Sequence, residues 1–183
     1  MFSPGTIISE FTSKKGKQIV FRLPREEDLE KMTEYINTLS REDTFIAFSG
    51  EQISLREERE YLEKIFHNLQ NDTGFFLLAI HNEEIVGASD VTRMERRSKH
   101  VGHFNISLAE NYREEGIGSE MIQILSDLAR KIGLQMLQLT VYSVNERGIH
   151  VYEKNGFQKV GQIPKKALYH GDLVDEIIMV KFL

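Results

Sequence analysis

The chain has 183 residues, of which 40% are apolar, and a formal net charge of -5; this composition fits one packed domain, and the acidic balance disfavours nucleic-acid binding. It contains no cysteine, which excludes disulfides, thiolate metal sites and a cysteine nucleophile. Since no apolar run approaches ~20 residues and the first residues lack the pattern of a signal peptide, we expect no membrane span and a cytoplasmic protein.

The first half of the chain predicts a β-hairpin followed by two helices. Strand patterns at 6–11 and 17–23 flank the lysine- and glycine-bearing segment TSKKGK, which predicts a turn. Pro24 favours the start of a helix, and apolar residues recur after it at helical spacing, at Leu29, Met32, Ile36 and Leu39. Ser54 and Glu57 form a capping-box pattern. We expect the helix that they start to bury Leu55, Leu62, Ile65, Phe66 and Leu69.

The second half of the chain alternates strands with two helices. Three strand patterns at 74–81, 84–92 and 100–109 predict a meander. The helix that follows has one apolar face, made by Met121, Ile122, Leu125, Leu128 and Ala129. The remaining elements are a strand at 134–144, a short helix at 145–155 that ends at Gly156, and strands at 157–163 and 173–183. Together they predict a single domain over residues 1–183 with a mixed α/β or α+β sheet.

The segment YREEGIGSE (112–120) places two glycines where a helix begins. A helix N-terminus leaves about four N–H groups unpaired at the positive end of its dipole, which favours an anion. Gly116 and Gly118 would let a phosphate approach the backbone, and Arg113 would add a charge at the rim. A packing turn also explains the glycines. A nucleoside triphosphate loop is excluded because no lysine follows Gly118, and a dinucleotide fold because only two glycines occur, late in the chain.

Two motifs resemble signatures of the GNAT family of acyl-CoA-dependent N-acetyltransferases. The first is Arg113-x-x-Gly116-x-Gly118. The second runs from Asn145 to Phe157, where an asparagine follows a strand and a helix ends in Tyr-Glu-x-x-Gly-Phe. The resemblance spans roughly residues 84–157 and implies a mixed, mostly antiparallel sheet of seven strands flanked by about four helices. In that fold, the two strands that precede the motifs splay apart to admit the pantetheine arm.

The resemblance also implies acetyl-CoA as the co-substrate, with no metal. The backbone at Leu108 and Ala109 would pair with the pantetheine arm, as a sheet edge pairs with an added strand. The coenzyme pyrophosphate would lie on the loop amides, with Arg113 beside it; the loop residues are Glu114, Glu115, Gly116, Ile117, Gly118 and Ser119. Asn145 would line the other side, and Tyr152 shares its helix face. Helix capping alone also explains Asn145, and a core position also explains Tyr152.

The reaction that the resemblance implies is direct transfer of the acetyl group from the thioester to a primary amine. Tyr152 would protonate the leaving thiolate, and a backbone N–H near Leu108 would polarise the thioester carbonyl. Some family members that modify protein N-termini carry a glutamate base at the position of Thr140, which cannot act as one. His103 and Asp90 are the alternatives for the base, although each is more often structural. The alternative function is a non-catalytic acyl-CoA-binding domain of the same fold.

The acceptor amine would meet the segments at 41–53 and 163–176 in this fold. They contain aromatic and acidic residues suited to a cationic amine: Phe45, Phe48, Tyr169 and His170, with Glu51, Asp172 and Asp175 nearby. A small molecule, or a peptide or protein amine, fits this composition. The family also implies a possible homodimer. We expect no nucleic-acid or membrane partner, and the scattered histidines lack metal-binding spacing.

Overall fold

The structure of the protein is a computed structural model that describes residues 2–42, 45–46, 48 and 50–183. Within these residues the chain forms eight strands and four α-helices. In chain order they are β1 (Ile7–Thr12), β2 (Gln18–Arg22), α1 (Leu29–Arg41), α2 (Leu55–Gln70), β3 (Gly74–His81), β4 (Glu84–Arg93), β5 (Val101–Leu108), α3 (Ile117–Lys131), β6 (Met136–Tyr142), α4 (Glu146–Lys154), β7 (Gln158–Tyr169) and β8 (Asp172–Phe182). None of these helices is long and apolar enough to cross a membrane in the part of the chain that is described.

All eight strands belong to one sheet with the order β1-β2-β3-β4-β5-β6-β8-β7. The pair β5–β6 is parallel, and the other neighbouring pairs are antiparallel. The mixed, mostly antiparallel sheet with four α-helices is therefore confirmed. The sheet has eight strands rather than the seven that the resemblance implies, because the N-terminal hairpin and the C-terminal hairpin each contribute two complete strands.

The helices cover both faces of the sheet. Helices α3 and α4 pack on one face, where the predicted apolar side of α3 is buried. Helices α1 and α2 pack on the other face through Leu29, Met32, Leu62 and Ile65. The capping box of α2 is confirmed, since Ser54 Oγ accepts from the Glu57 N–H at 3.3 Å. The predicted burial of Leu55 is wrong: it is 43% exposed, because it lies at the first position of α2, two turns before Leu62.

Strands β5 and β6 separate in the middle of the sheet. They pair from Val101–Met136 only as far as His103–Gln138. Beyond that point β5 stays paired with β4 up to Leu108, and β6 stays paired with β8 up to Tyr142. The predicted splay between the two strands is therefore confirmed, and it leaves a gap between the last five residues of β5 and the second half of β6.

Candidate active site

The backbone of β5 presents alternate residues to this gap. The Met94 N–H donates to the Val101 carbonyl at 2.9 Å, and the Ala109 N–H donates to the Val86 carbonyl at 3.0 Å. In an antiparallel ladder every second residue bonds to the same neighbour, so the odd-numbered residues of β5 bond to β4. The backbone groups of Ile106 and Leu108 therefore point towards the gap.

Of the two residues expected to pair with the pantetheine arm, only Leu108 faces the gap. The Ala109 N–H is used by Val86, and the Ala109 carbonyl accepts from the Tyr112 N–H at 3.0 Å. The expectation for Ala109 is corrected on this ground, because both of its backbone groups are engaged inside the protein. The sequence motif does not show which alternate residues of β5 face the gap, because this depends on the register between β4 and β5.

The two glycines begin α3 directly after the end of β5. Gly116 is the N-cap of α3 with φ +90°, and it offers no side-chain cap to the first N–H groups of the helix. A Cβ at Gly116 would lie 3.3 Å from the Phe11 ring, and one at Gly118 would lie 3.3 Å from Leu108 Cδ1. The glycines thus satisfy a left-handed turn and close packing, and they also leave an uncapped helix N-terminus beside the gap.

Arg113 does not extend from the rim of the loop towards solvent. Its Nε donates to the Leu108 carbonyl at 3.0 Å, and its Nη2 lies 3.5 Å from the Glu42 carboxylate at the end of α1. The guanidinium thus links the end of β5 to the end of α1. Arg113 could contact a phosphate only if its interactions with Leu108 and Glu42 were broken.

The two glutamates of the loop have different environments. Glu114 is exposed, and its carboxylate lies 3.3 Å from Arg147 Nε at the start of α4. The Glu115 side chain is fully buried and accepts from Lys17 Nζ at 2.7 Å and from Ser13 Oγ at 2.6 Å. These two hydrogen bonds lower the pKa of Glu115 to about 2, so it is a permanent anion. Glu115 therefore attaches the loop to the turn between β1 and β2.

Helix α4 begins and ends with asparagine contacts. Asn145 is its N-cap, and Asn145 Oδ1 accepts from the Gly148 N–H at 2.9 Å. Asn155, which the sequence did not single out, donates from Nδ2 to Ser119 Oγ at 3.0 Å and to the Val151 carbonyl at 2.8 Å. The contact between Asn155 and Ser119 connects the end of α4 to the first turn of α3.

Tyr152 lies on α4 against the core of the α3 side of the sheet. Its ring makes an edge contact with Phe157, with 5.8 Å between the ring centroids. Burial raises the pKa of Tyr152 to about 12, so the hydroxyl is protonated at neutral pH. Among the described residues this hydroxyl forms no hydrogen bond, and it is thus a donor that is not already committed.

The opposite face of the sheet carries a polar group next to the gap. Asp90 on β4 is paired in register with Asn105 on β5, whose Nδ2 lies 3.2 and 3.3 Å from the two Asp90 oxygens. The same Nδ2 lies 3.3 Å from His103 Nδ1, at the last paired position of β5 and β6. Burial raises the pKa of Asp90 to about 6 and lowers the pKa of His103. The sequence named both residues, and the structure brings them together.

The segments expected to form the acceptor site meet in the structure. Phe45 stacks on Tyr169 with 4.9 Å between the ring centroids, and His170 stacks on the same tyrosine at 4.2 Å. Asp175 is tied inside the β7–β8 hairpin, where it accepts from the Lys165 N–H at 2.8 Å and from Gln162 Nε2. Residues 43, 44, 47 and 49 of the first segment lie outside the described residues. The aromatic part of the expected lining is thus assembled, whereas Asp175 already has partners.

Residues 18–158 match the family model for the acetyltransferase (GNAT) domain. The chain belongs to the GNAT acetyltransferase family. It is 30% identical over 125 residues to the SPbeta prophage-derived uncharacterized N-acetyltransferase YokL of Bacillus subtilis (strain 168), a match that covers 68% of each chain. It is 33% identical over 111 residues to the L-amino acid N-acetyltransferase AaaT of Escherichia coli (strain K12), covering 57% of this chain and 66% of that one.

Two solved acetyltransferase structures share the fold. The acetyltransferase of the GNAT family from Streptococcus pneumoniae superposes with a TM-score of 0.82 at 27% identity, over 90% of this chain and 99% of that one. YncA from Salmonella typhimurium, a putative acetyltransferase solved with its cofactor acetyl-CoA, superposes with a TM-score of 0.79 at 18% identity, over 90% of this chain and 94% of that one. The second likeness shows the fold alone.

Proposed function

We propose that the protein transfers an acetyl group from acetyl-CoA to a primary amine by direct attack. The observation that carries this proposal is the gap between β5 and β6, which ends beside the uncapped N-terminus of α3. An extended pantetheine arm needs an unpaired strand edge, and a pyrophosphate needs free N–H groups. Both features lie next to each other here, and a structure of the same fold contains acetyl-CoA.

The coenzyme would be held mainly by backbone groups. Leu108 offers its N–H to the arm or to the thioester carbonyl, since its carbonyl is already used by Arg113. The amides from Glu114 to Ser119 would receive the pyrophosphate. Asn145 supports this site indirectly, because it caps the helix that carries Tyr152.

Tyr152 is the residue that we assign to protonation of the leaving thiolate. Its hydroxyl is protonated at neutral pH and has no competing hydrogen bond among the described residues. The thiolate formed from a thiol with a pKa near ~8.5 is basic enough to need a proton at neutral pH. An uncommitted acid on the α3 side of the gap favours the catalytic function over the non-catalytic acyl-CoA-binding alternative.

Asp90 is the residue that we assign as the base for the acceptor amine. It lies on the face of the sheet opposite Tyr152. The amine would therefore lose its proton on one side of the gap, and the thiolate would gain a proton on the other side. Its carboxylate is ionised above pH ~6 and forms no ion pair within the described part of the chain. Asn105 contacts both Asp90 and His103, and His103 is the last paired residue of β5, where one water would complete the path to the amine.

The acceptor that this site favours is a small cationic amine with an apolar portion. A carboxylate without a cation partner attracts an ammonium group, and the Phe45–Tyr169 stack offers an aromatic surface. The E. coli relative is named for L-amino acids, which supports a small molecule. A peptide N-terminus is the second candidate, because it presents the same amine at the end of a chain. A homodimer and a cytoplasmic location stay predictions.

The experiment is a thiol-release assay with acetyl-CoA and a panel of amines. The panel contains L-amino acids, linear diamines, and a peptide with either a free or an acetylated N-terminus. The proposal predicts thiol release that depends on a free primary amine and a monoacetylated product by mass spectrometry. Tight acetyl-CoA binding without turnover of any amine would overturn the catalytic proposal in favour of the acyl-CoA-binding alternative.

A further inference from the structure

In the loop expected to bind the coenzyme phosphates, Arg113 is the cation of the sequence motif, but it is already engaged elsewhere. Arg113 is used by the Leu108 carbonyl and by Glu42. The loop itself adds two carboxylates, from Glu114 and Glu115, close to where the phosphates would lie. Each of these carboxylates is already paired with a cation from outside the loop, Glu114 with Arg147 and Glu115 with Lys17. Since Arg113 is also engaged, a further cation for the phosphates must come from another part of the chain.

The turn between β1 and β2 is docked against the loop and supplies three lysines. We call residues 13–17 the lysine turn. The Lys14 N–H donates to the Glu115 carbonyl at 3.0 Å, and the Glu115 carboxylate accepts from Ser13 Oγ at 2.6 Å and from Lys17 Nζ at 2.7 Å. Lys17 Nζ also donates to the Asn111 carbonyl at 2.7 Å. These four bonds fix the lysine turn relative to the start of α3, although about 100 residues separate the two segments.

The three lysines of the turn are not equivalent. The Lys17 ammonium is fully engaged, since it also lies 4.0 Å from the centroid of the Tyr112 ring. Lys15 lies 3.5 Å from the Glu115 carboxylate, and its side chain is 67% exposed. Lys14 differs because its Cε lies 3.8 Å from the position that a Cβ of Gly116 would occupy. Its chain thus passes over the glycine that begins α3, and within the described residues its ammonium forms no ion pair.

We propose that Lys14 binds a phosphate group of the coenzyme, and that Glu115 is the positioning residue that holds Lys14 over the start of α3. This inference rests on the proposed function. A lysine ammonium at a helix N-terminus adds a charge-assisted hydrogen bond to the attraction of the helix dipole for an anion. Position 14 precedes residues 18–158, the part of the chain that matches the family model, so the family match does not assign it.

The test compares Lys14→Gln with the matched control Lys15→Gln by titration with acetyl-CoA. Lys14→Gln is expected to raise the Kd about tenfold, the scale of one charge-assisted hydrogen bond, whereas Lys15→Gln stays within about twofold of the wild type. Lys14→Arg is expected to retain affinity. S-acetylpantetheine, which has no phosphate, is expected to bind all four proteins equally.

A second ligand identifies which phosphate is bound. With acetyl-3′-dephospho-CoA, an undiminished effect of Lys14→Gln assigns Lys14 to the pyrophosphate, and a lost effect assigns it to the 3′-phosphate. Equal Kd values for the wild type and Lys14→Gln with acetyl-CoA would overturn the inference while leaving the proposed function intact. A wild-type protein that is folded and binds no acetyl-CoA would overturn both.

The role of Glu115 is tested by Glu115→Gln, which retains the side-chain shape and removes the charge. The KM for acetyl-CoA is expected to rise while kcat at saturation stays the same, because the lysine turn loses its fixed position and the chemistry does not change. In the Lys14→Gln background the same substitution is expected to have no further effect on Kd. Additive effects of the two substitutions would show that Glu115 acts on the fold alone and would overturn its positioning role.

Discussion

Replacing Asp90 by asparagine should make the protein more stable and less active at the same time. The pKa of Asp90 is raised from 3.8 to about 6 by burial, against hydrogen bonding from Asn105, which lowers it. Tyr61 and Lys64 of α2 line the same cavity as Asp90, and His103 of β5 contacts the Asn105 amide that bonds to Asp90. Two pKa units correspond to ~3 kcal/mol, which solvent screening of a partly exposed side chain reduces to ~2 kcal/mol.

The sign of this effect follows from proton binding. A folded-state pKa above the unfolded value means that the folded protein holds the proton more tightly, so the contribution of Asp90 to stability is present below pH ~4 and is lost as pH rises through about 6. At pH 8 the ionised carboxylate destabilises the fold, and a neutral asparagine does not. The melting temperature of Asp90→Asn should therefore exceed that of the wild type by ~4–8 °C at pH 8 and equal it at pH 4.

The activity assay is the pH profile of kcat/KM for the amine that gives the most thiol release. The kcat/KM of the wild type should fall as the pH falls through ~6. The kcat/KM of Asp90→Asn should be lower by ~100-fold or more at pH 8, and it should no longer show this decrease at acidic pH. Asp127→Asn, at an exposed ion pair with Arg130, is the control and should retain both the profile and the rate. A lower melting temperature of Asp90→Asn at pH 8, or an unchanged acidic limb, would refute the assignment.

Three further substitutions test other parts of the structure. Tyr152→Phe should lower kcat ~100-fold with an unchanged Kd for acetyl-CoA, and an unchanged kcat would remove Tyr152 from the acid role. Lys181→Met should raise the free energy of unfolding by ~1 kcal/mol at pH 7, because burial lowers the pKa of this lysine and, among the residues that the structure describes, only Ser126 Oγ accepts from it, at 3.0 Å. Since the folded state binds this proton less tightly, the gain should disappear above pH ~10.4, and a gain that persists there would contradict the cause. Gly116→Ala should lower the free energy of unfolding by ~1–2 kcal/mol in urea titration, because alanine is strained at φ +90° and would crowd Phe11; an unchanged midpoint would show that the loop has another conformation.

The parts of the site that depend on local patterns could be predicted from the sequence. Two glycines at a strand–helix junction, an asparagine at an N-cap and a tyrosine seven residues later are short-range signals, and the structure has the glycines and the cap at the predicted element boundaries. The capping box of α2 belongs to the same class. Spacing within one helix or one turn is fixed by backbone geometry, which is why these features can be deduced from residue order alone.

The parts that depend on long-range partners could not be predicted. Arg113 and Glu115 look alike as exposed loop residues in the sequence, but their partners Glu42, Ser13 and Lys17 lie 71 to 102 residues away. The backbone N–H of Ala109 does not face the gap, because the register between β4 and β5 pairs it with Val86. Register and docking are decided by the packing of whole elements, so a motif can place a residue in a loop without indicating where its side chain points.

The most direct test of the account is calorimetric titration of the wild-type protein with acetyl-CoA, with ATP and dephospho-CoA as controls. The account predicts a Kd in the micromolar range for acetyl-CoA and much weaker binding of ATP, because ATP has phosphates but no arm to fill the gap between β5 and β6. A folded sample that gives no binding heat with acetyl-CoA would contradict the account and leave the glycines of YREEGIGSE as a packing turn.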